Sequence, residues 1–190
     1  MIFQRTPVLS VFPGLGKTFC FNNSNYKCSD SDSTKWSWVY EDGHKTKERN
    51  PDFPKNYVDH IKRLIKSDNY EFIFVSSHYH FKKELERQKI PFISIYPEKS
   101  CKEFFLENLR NRKTGISKKE FVEEIDKHWD LWIPDDGEET KHNVSCYTEV
   151  FLEPGVWLSD ALQYLTYNFY DTENTTVHLY RSADGTVKSR

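Results

Sequence analysis

The stretch from Tyr70 to Pro97, "YEFIFVSSHYHFKKELERQKIPFISIYP", constrains the chain more than any other. An apolar run, an amphipathic segment and a second apolar run bounded by prolines follow one another. The two runs read as buried strands and the segment between them as an exposed amphipathic helix. Strand, helix, strand at this spacing is a βαβ unit, which favours a parallel sheet with right-handed crossovers. The 190 residues suffice for one domain with a hydrophobic core, and 29 % charged with 16 % aromatic residues is a globular composition.

The other segments fit around this unit. "PVLSVF" (7–12) reads as a buried strand that stops at Pro-Gly, and "GKTFCFNN" opens a short helix. "YKCSDSD" predicts a second strand. From Ser37 to Pro54 the text is polar and irregular, so a long loop is expected. "KNYVDHIKRLIKS" then puts Tyr57, Ile61, Leu64 and Ile65 at helical spacing. "SCKEFFLENLRNR" and "SKKEFVEEIDKHWDLWI" predict two further helices joined by "KTGI", with Trp129 and Trp132 read as core residues. A strand at "VSCYTEVFL", a turn of helix at "LSDALQYL" and a small hairpin around Asp184-Gly185 complete the chain. No internal repeat is evident.

The strand at 7–12 is followed by "PGLGKTF". The phosphate-loop pattern G-x-x-x-x-G-K-[ST] is met at Gly16, Lys17 and Thr18, but Val11 stands where the first glycine belongs. Such loops work by geometry: a strand ends, a glycine-rich turn points backbone N–H groups inward, and a helix N-terminus adds partial positive charge. Residues Pro13, Gly14, Leu15, Gly16, Lys17, Thr18 and Phe19 are therefore the candidate nucleotide-binding segment. Lys17 would reach the outer phosphates and Thr18 would ligate magnesium. Val11 would only shape the entry to the turn.

"CSDSDSTKW" places Asp30 and Asp32 two apart, on one side of an extended segment. One could hold magnesium and the other could accept the proton of an attacking hydroxyl. We assign Asp30 to the metal with Thr18, and Asp32 to the acceptor. Arg110 and Arg112, before the glycine turn, are candidates for neutralising charge on the migrating phosphoryl group. Arg49 and Asn50 in "KERNPDFPKNY", together with Ser77 and His78 at the end of the best strand, are candidate acceptor contacts. A Ser-His catalytic reading fails, since adjacent residues cannot make the nucleophile-base geometry and no G-x-S-x-G elbow exists. Cys20, Cys28, Cys101 and Cys146 form neither a zinc pattern nor a disulfide framework.

In the order strand, "FPGLGKT", "DSDS", "NPDFPKNYVDHIK", "FIFVSSH", "PFISIYP" and a two-helix region, the chain resembles small P-loop kinase-like proteins of bacteriophages, described as adenylate kinase-like or nucleotide kinase-like. It is similar more widely to nucleoside monophosphate and shikimate-type kinases. The resemblance implies a three-layer α/β P-loop NTPase-type fold with a parallel sheet of about five strands and a helical lid. It implies a kinase-like domain over 1–165, with an acceptor segment at 37–67 and a lid at 101–133, and a C-terminal extension at 166–190. It also implies ATP and Mg as cofactors, with Asp30 and Asp32 matching an Asp-x-Asp that serves magnesium and the acceptor hydroxyl.

The function expected is ATP- and Mg-dependent phosphoryl transfer to a small molecule, most naturally a nucleotide or nucleoside. The alternatives are a polynucleotide or DNA-base kinase, and a non-catalytic nucleotide-binding regulator. A formal net charge of −2 argues against a broadly basic nucleic-acid surface, so a nucleic-acid partner is not favoured. No stretch approaches the roughly eighteen apolar residues a membrane span needs, and the N-terminus builds no signal peptide, so a cytoplasmic protein is expected.

Overall fold

A computed structural model describes residues 6–112, 119–135, 148–168 and 175–190. The chain divides into two compact units, Met1–Ser94 with Val144–Tyr147 and Ile95–Asn143 with Thr148–Arg190. Both are built on βαβ connections, and the protein is an α/β fold whose mostly parallel sheet is flanked by helices.

In the first unit β1 (Val8–Val11) leads to α1 (Lys17–Asn23) and β2 (Cys28–Asp30). A short α2 (Thr34–Ser37) precedes β3 (Trp38–Glu41) and β4 (His44–Arg49). Then come α3 (Lys55–Ser67), β5 (Phe72–Val75), α4 (Tyr79–Arg87) and β6 (Phe92–Pro97), whose residues are shared with the second unit. The order here is β2-β5-β1-β6. β1 and β5 are parallel and wholly buried, with Val8 opposite Ile73 and Ser10 opposite Val75. Burial on both faces is why these strands read as continuous apolar runs. Beyond β5, Asp30 of β2 lies opposite Phe74.

The amphipathic α3 and α4 supply Tyr57, Val58, Ile61, Phe81 and Leu85 to a core shared with Val8, Ile73, Val75 and Phe92. α3 ends where Asp68 takes a left-handed conformation and returns its N–H to the Ile65 carbonyl. Since β1 sits between β5 and β6, the chain leaves it toward one side of the sheet and later returns on the other. Open α/β sheets bind ligands outside the carboxyl end of a strand at such a reversal.

Within the loop expected over 37–54, residues 38–49 instead form a hairpin. β3 and β4 pair antiparallel around Asp42-Gly43, both with positive φ (48° and 78°), the conformation of a type I′ turn. Asp-Gly between "WVYE" and "HKTKER" is the sequence signal for that turn. It was masked because both strands are polar and largely exposed, with no apolar alternation to announce them.

In the second unit a 3₁₀ turn (Lys99–Cys101) leads into α5 (Lys102–Arg110), and α6 (Lys119–Trp132) packs on it through Phe105 and Trp129, 5.4 Å apart. The joining "KTGI" lies outside the described residues. Trp129 is core, as expected, whereas Trp132 is exposed and stacks on His128. β7 (Thr148–Leu152), α7 (Leu158–Asn168) and β8 (Thr175–Arg181) form a further βαβ unit with β7 and β8 parallel. β9 (Val187–Ser189) returns antiparallel around Asp184-Gly185, the hairpin expected there. The order from β6 is β6-β7-β8-β9. Among the described residues the sheet has seven strands where about five were expected, because the parallel crossover through α7 and the final hairpin add β8 and β9.

Candidate functional site

The candidate phosphate-binding segment, residues 13–19, follows the end of β1. Phe12 and Leu15 are buried and pin the loop, and Leu15 N–H reaches the Phe12 carbonyl at 3.4 Å. Between and after them Gly14 and Gly16 hold φ values of 95° and 98°. A Cβ on Gly16 would meet nothing closer than the Phe19 Cβ at 3.9 Å, so backbone conformation and not space demands glycine there. Gly16 caps α1, with Cys20 N–H on its carbonyl at 2.9 Å. No side chain caps this helix, and its first turn holds no acid.

Val11, at the position of the absent glycine, ends β1 with its side chain buried, so the turn begins after it. Lys17 Nζ donates to the Val11 carbonyl at 2.9 Å, which folds the ammonium back over the loop entrance. The next residue, Thr18, donates from Oγ1 to Asp30 Oδ2 at 3.0 Å. The two groups assigned to one metal ion are therefore adjacent. Among the described residues no three His, Cys, Asp or Glu converge, so further ligands for a hard cation would come from phosphate oxygens and water.

Asp32 lies just past β2 and accepts at Oδ1 from the backbone N–H and the hydroxyl of Thr34, both at 2.7 Å. These bonds fix its direction at the start of α2. The nearby charges converge on His78, which opens α4. Its imidazole is held below the ordinary histidine range first by desolvation, then by the Arg49 and Lys17 cations, with Asp32 opposing. Protein crowds the ring although the residue keeps solvent-accessible surface. The charges of Arg49, Lys17 and Asp32 thus all act on His78.

The other sequence-assigned residues are held as follows. Asn50 serves the turn into α3: its N–H bonds the Ser37 carbonyl, and its Oδ1 accepts from Asp52 N–H at 3.0 Å. Ser77 is half-buried beside His78. Arg110 ends α5 and Arg112 follows it, both in the second unit.

Three residues that sequence reasoning gave no part in the site hold its floor. The buried Tyr57 hydroxyl donates to the Ser31 carbonyl and accepts from Ser76 N–H at 3.3 Å, which ties the end of β2 to the end of β5. Burial pushes this phenol far up, so it stays a donor across the physiological range. His60 Nε2 meets Ser31 Oγ at 2.9 Å and its ring stacks on Trp36 at 4.6 Å. Together Tyr57 and His60 hold Ser31, the residue between the two aspartates. Of these, the sequence marked only Tyr57, by its helical spacing.

Ser76 Oγ is enclosed with no hydrogen-bond partner among the described residues, and its carbonyl accepts from Ser10 Oγ of β1 at 3.4 Å. A polar atom without a partner beside the carboxyl end of β1 is an uncompensated cost of about 1–3 kcal/mol. Left-handed glycines at the turn, a lysine over it and the Thr18–Asp30 pair fit a polyphosphate with a divalent cation. Comparison with known protein families, with curated proteins and with solved structures finds no match to this chain, so fold and site rest on its own residues.

Proposed function

We propose that the chain transfers the γ-phosphoryl group of ATP, with magnesium, to a nucleoside or nucleotide acceptor. The observation that carries this reading is the Thr18–Asp30 hydrogen bond at the foot of the Gly14–Thr18 turn. It brings the Thr18 hydroxyl together with a carboxylate at the end of β2, on the far side of β5 from β1, the pair that a shared metal would use. Bound there, magnesium would neutralise charge on the β- and γ-phosphates.

The chain's own groups then have separate tasks. Backbone N–H groups of the turn bind phosphate oxygens, and Lys17 exchanges the Val11 carbonyl for the outer phosphates. Asp32, oriented by Thr34, takes the proton of the acceptor hydroxyl as its oxygen bonds to the γ-phosphorus. The bond from that phosphorus to the β–γ bridging oxygen breaks, and ADP leaves with the electron pair. Arg49 and the low-pKa His78 line the acceptor side. Most of the barrier lowering comes from positioning and electrostatics.

Lys17→Ala tests this directly. Phosphoryl transfer from labelled ATP to a panel of nucleosides and nucleotides should fall by about 10²–10³-fold, with little change in the unfolding midpoint. Unchanged turnover in that variant refutes the reading.

A further inference from the structure

The β3–β4 hairpin has a charge arrangement that the site so far does not use. Its strands contain three cations, Lys45, Lys47 and Arg49, and its acids are Glu41, Asp42 and Glu48. In sum it is neutral; locally it is not. Trp38 lies opposite Arg49 and Tyr40 opposite Lys45, with a register shift between the two pairs, and the cations of Lys45 and Arg49 both meet on the Trp38 ring. Glu41 pairs with His44, and Asp42 sits in the turn.

Arg49 Cζ lies 3.9 Å and Lys45 Nζ 4.4 Å from the centre of that ring. Two like charges are therefore gathered on one indole. Among the described residues neither the Lys45 nor the Arg49 side chain forms an ion pair or a hydrogen bond, and the hairpin's own acids leave them uncompensated. The ring holds both cations by cation–π attraction and so fixes them in advance for an anion. Tyr40, nearer the turn, is 41 % exposed.

This cation pair is tied to the segment that orients Asp32: Thr34 of α2 holds the Asp32 carboxylate, α2 runs straight into β3, and Asn50 N–H, next to Arg49, returns to the Ser37 carbonyl at 3.1 Å. Along the chain from Asp32 come α2, then the hairpin with its anion seat at Arg49 and Lys45 and, nearer the turn, the exposed Tyr40 ring. A free nucleoside offers nothing for the outer positions. A nucleotide inside a chain offers a neighbouring phosphodiester and a neighbouring base. We infer that the acceptor is presented by a single-stranded nucleic acid, with the phosphodiester next to the acceptor nucleotide seated on Lys45 and Arg49 and the following base stacked on Tyr40. The acceptor role rests on the phosphoryl-transfer reading above; the docking surface does not.

The test measures binding without ATP, by fluorescence anisotropy of a labelled single-stranded oligothymidylate of about ten nucleotides, within the usual range for single-strand binders. Thymidine monophosphate and a duplex of equal length are competitors. The expected result is single-strand binding at least about tenfold tighter than either competitor, with log K falling linearly in log salt. Lys45→Gln should reduce that slope by about 0.7, one phosphate contact. Tyr40→Ala should weaken binding about tenfold while Tyr40→Phe retains it. Equal affinity for monophosphate or duplex, or an unchanged slope in Lys45→Gln, overturns the inference.

Binding of a fluorescent ATP analogue to the same preparation separates the two readings. A protein that binds the analogue but not the strand keeps the phosphate loop and loses this surface. One that binds the strand through Lys45 and Tyr40 but never the analogue keeps the surface and loses the transfer reading.

Discussion

The chain makes one loop twice and finishes it differently. After β1 comes Phe12-Pro13-Gly14-Leu15-Gly16 before α1; after β7 comes Glu153-Pro154-Gly155-Val156-Trp157 before α7. In both, the glycine after proline is left-handed, at 95° and 84°. The next residue is buried and bonds back three places, Leu15 to Phe12 and Val156 to Glu153. In both, the cap carbonyl accepts from a buried residue four places on, Cys20 in one and Ala161 in the other. The backbone frame is shared and the chemistry is not. Where the first loop has Gly16, Lys17 and Phe19, the second has Trp157, Leu158 and Asp160.

Asp160 explains the difference. Its Oδ2 accepts from Trp157 N–H at 2.8 Å and pairs with Arg181 at 2.9 Å. The second helix start is thus satisfied by a carboxylate of its own, in the manner of a capping box. The first has no side-chain cap and no acid in its first turn. Negative charge at a helix N-terminus is favourable from whatever source, so a helix that carries none suits an external anion.

The largest effect should come from making the first loop resemble the second. Phe19 occupies the place of Asp160 and is 65 % exposed, so Phe19→Asp costs little packing. Its carboxylate can reach the Gly16 N–H and repel phosphate. Affinity for ATP should fall at least about tenfold, or about 1.4 kcal/mol, with the unfolding midpoint preserved. Unchanged affinity in a calorimetric titration would break the comparison, since an acid at that place would then not compete with ligand.

The reverse change should be smaller. Asp160→Ala removes the self-cap and should lower stability by about 0.5–2 kcal/mol in urea unfolding. The part due to Arg181 is at the low end, because the guanidinium is substantially exposed. ATP affinity should not change. A variant as stable as the native chain would mean that the second loop is held by burial of Val156 alone.

How far each loop could be read in advance follows the same division. The phosphate-loop motif, the β5–α4–β6 unit and the amphipathic face of α3 are local patterns, and the structure holds strands and helices close to where those patterns fall. The β3–β4 hairpin was hidden because its strands carry charge where a buried strand carries apolar side chains. Net charge hid its cation pair as well, since summing over residues erases what the fold gathers on one ring. In the site, the spacing of Asp30 and Asp32 was legible. The bond from Tyr57 to Ser31 was not, because it joins residues 26 apart that meet only once α3 packs on the sheet.

The smallest effect concerns the charge around the first loop. His78 is held below the histidine value of 6.5 by desolvation and by Arg49 and Lys17, and a folded-state pKa below the unfolded one has a defined sign. Above about 6.5 neither state is protonated and the contribution to stability is complete. Between 6.5 and the lowered value the unfolded chain binds more protons, so stability declines as pH falls and the contribution is gone below that value. His60 is lowered in the same direction by desolvation and Arg63, so His78→Gln should remove part of the slope and not all of it. ATP phosphates beside Lys17 would offset the cations and draw the His78 pKa upward. Binding should then take up protons, and affinity should rise modestly as pH falls from 7.5 toward 6. A ring-proton NMR titration of His78 reads both steps: a midpoint below 6.5 in the free protein and an upward move on adding ATP. A midpoint that stays put when ATP binds would separate His78 from the phosphate loop, and with it the claim that Lys17, Arg49 and Asp32 act on one ligand.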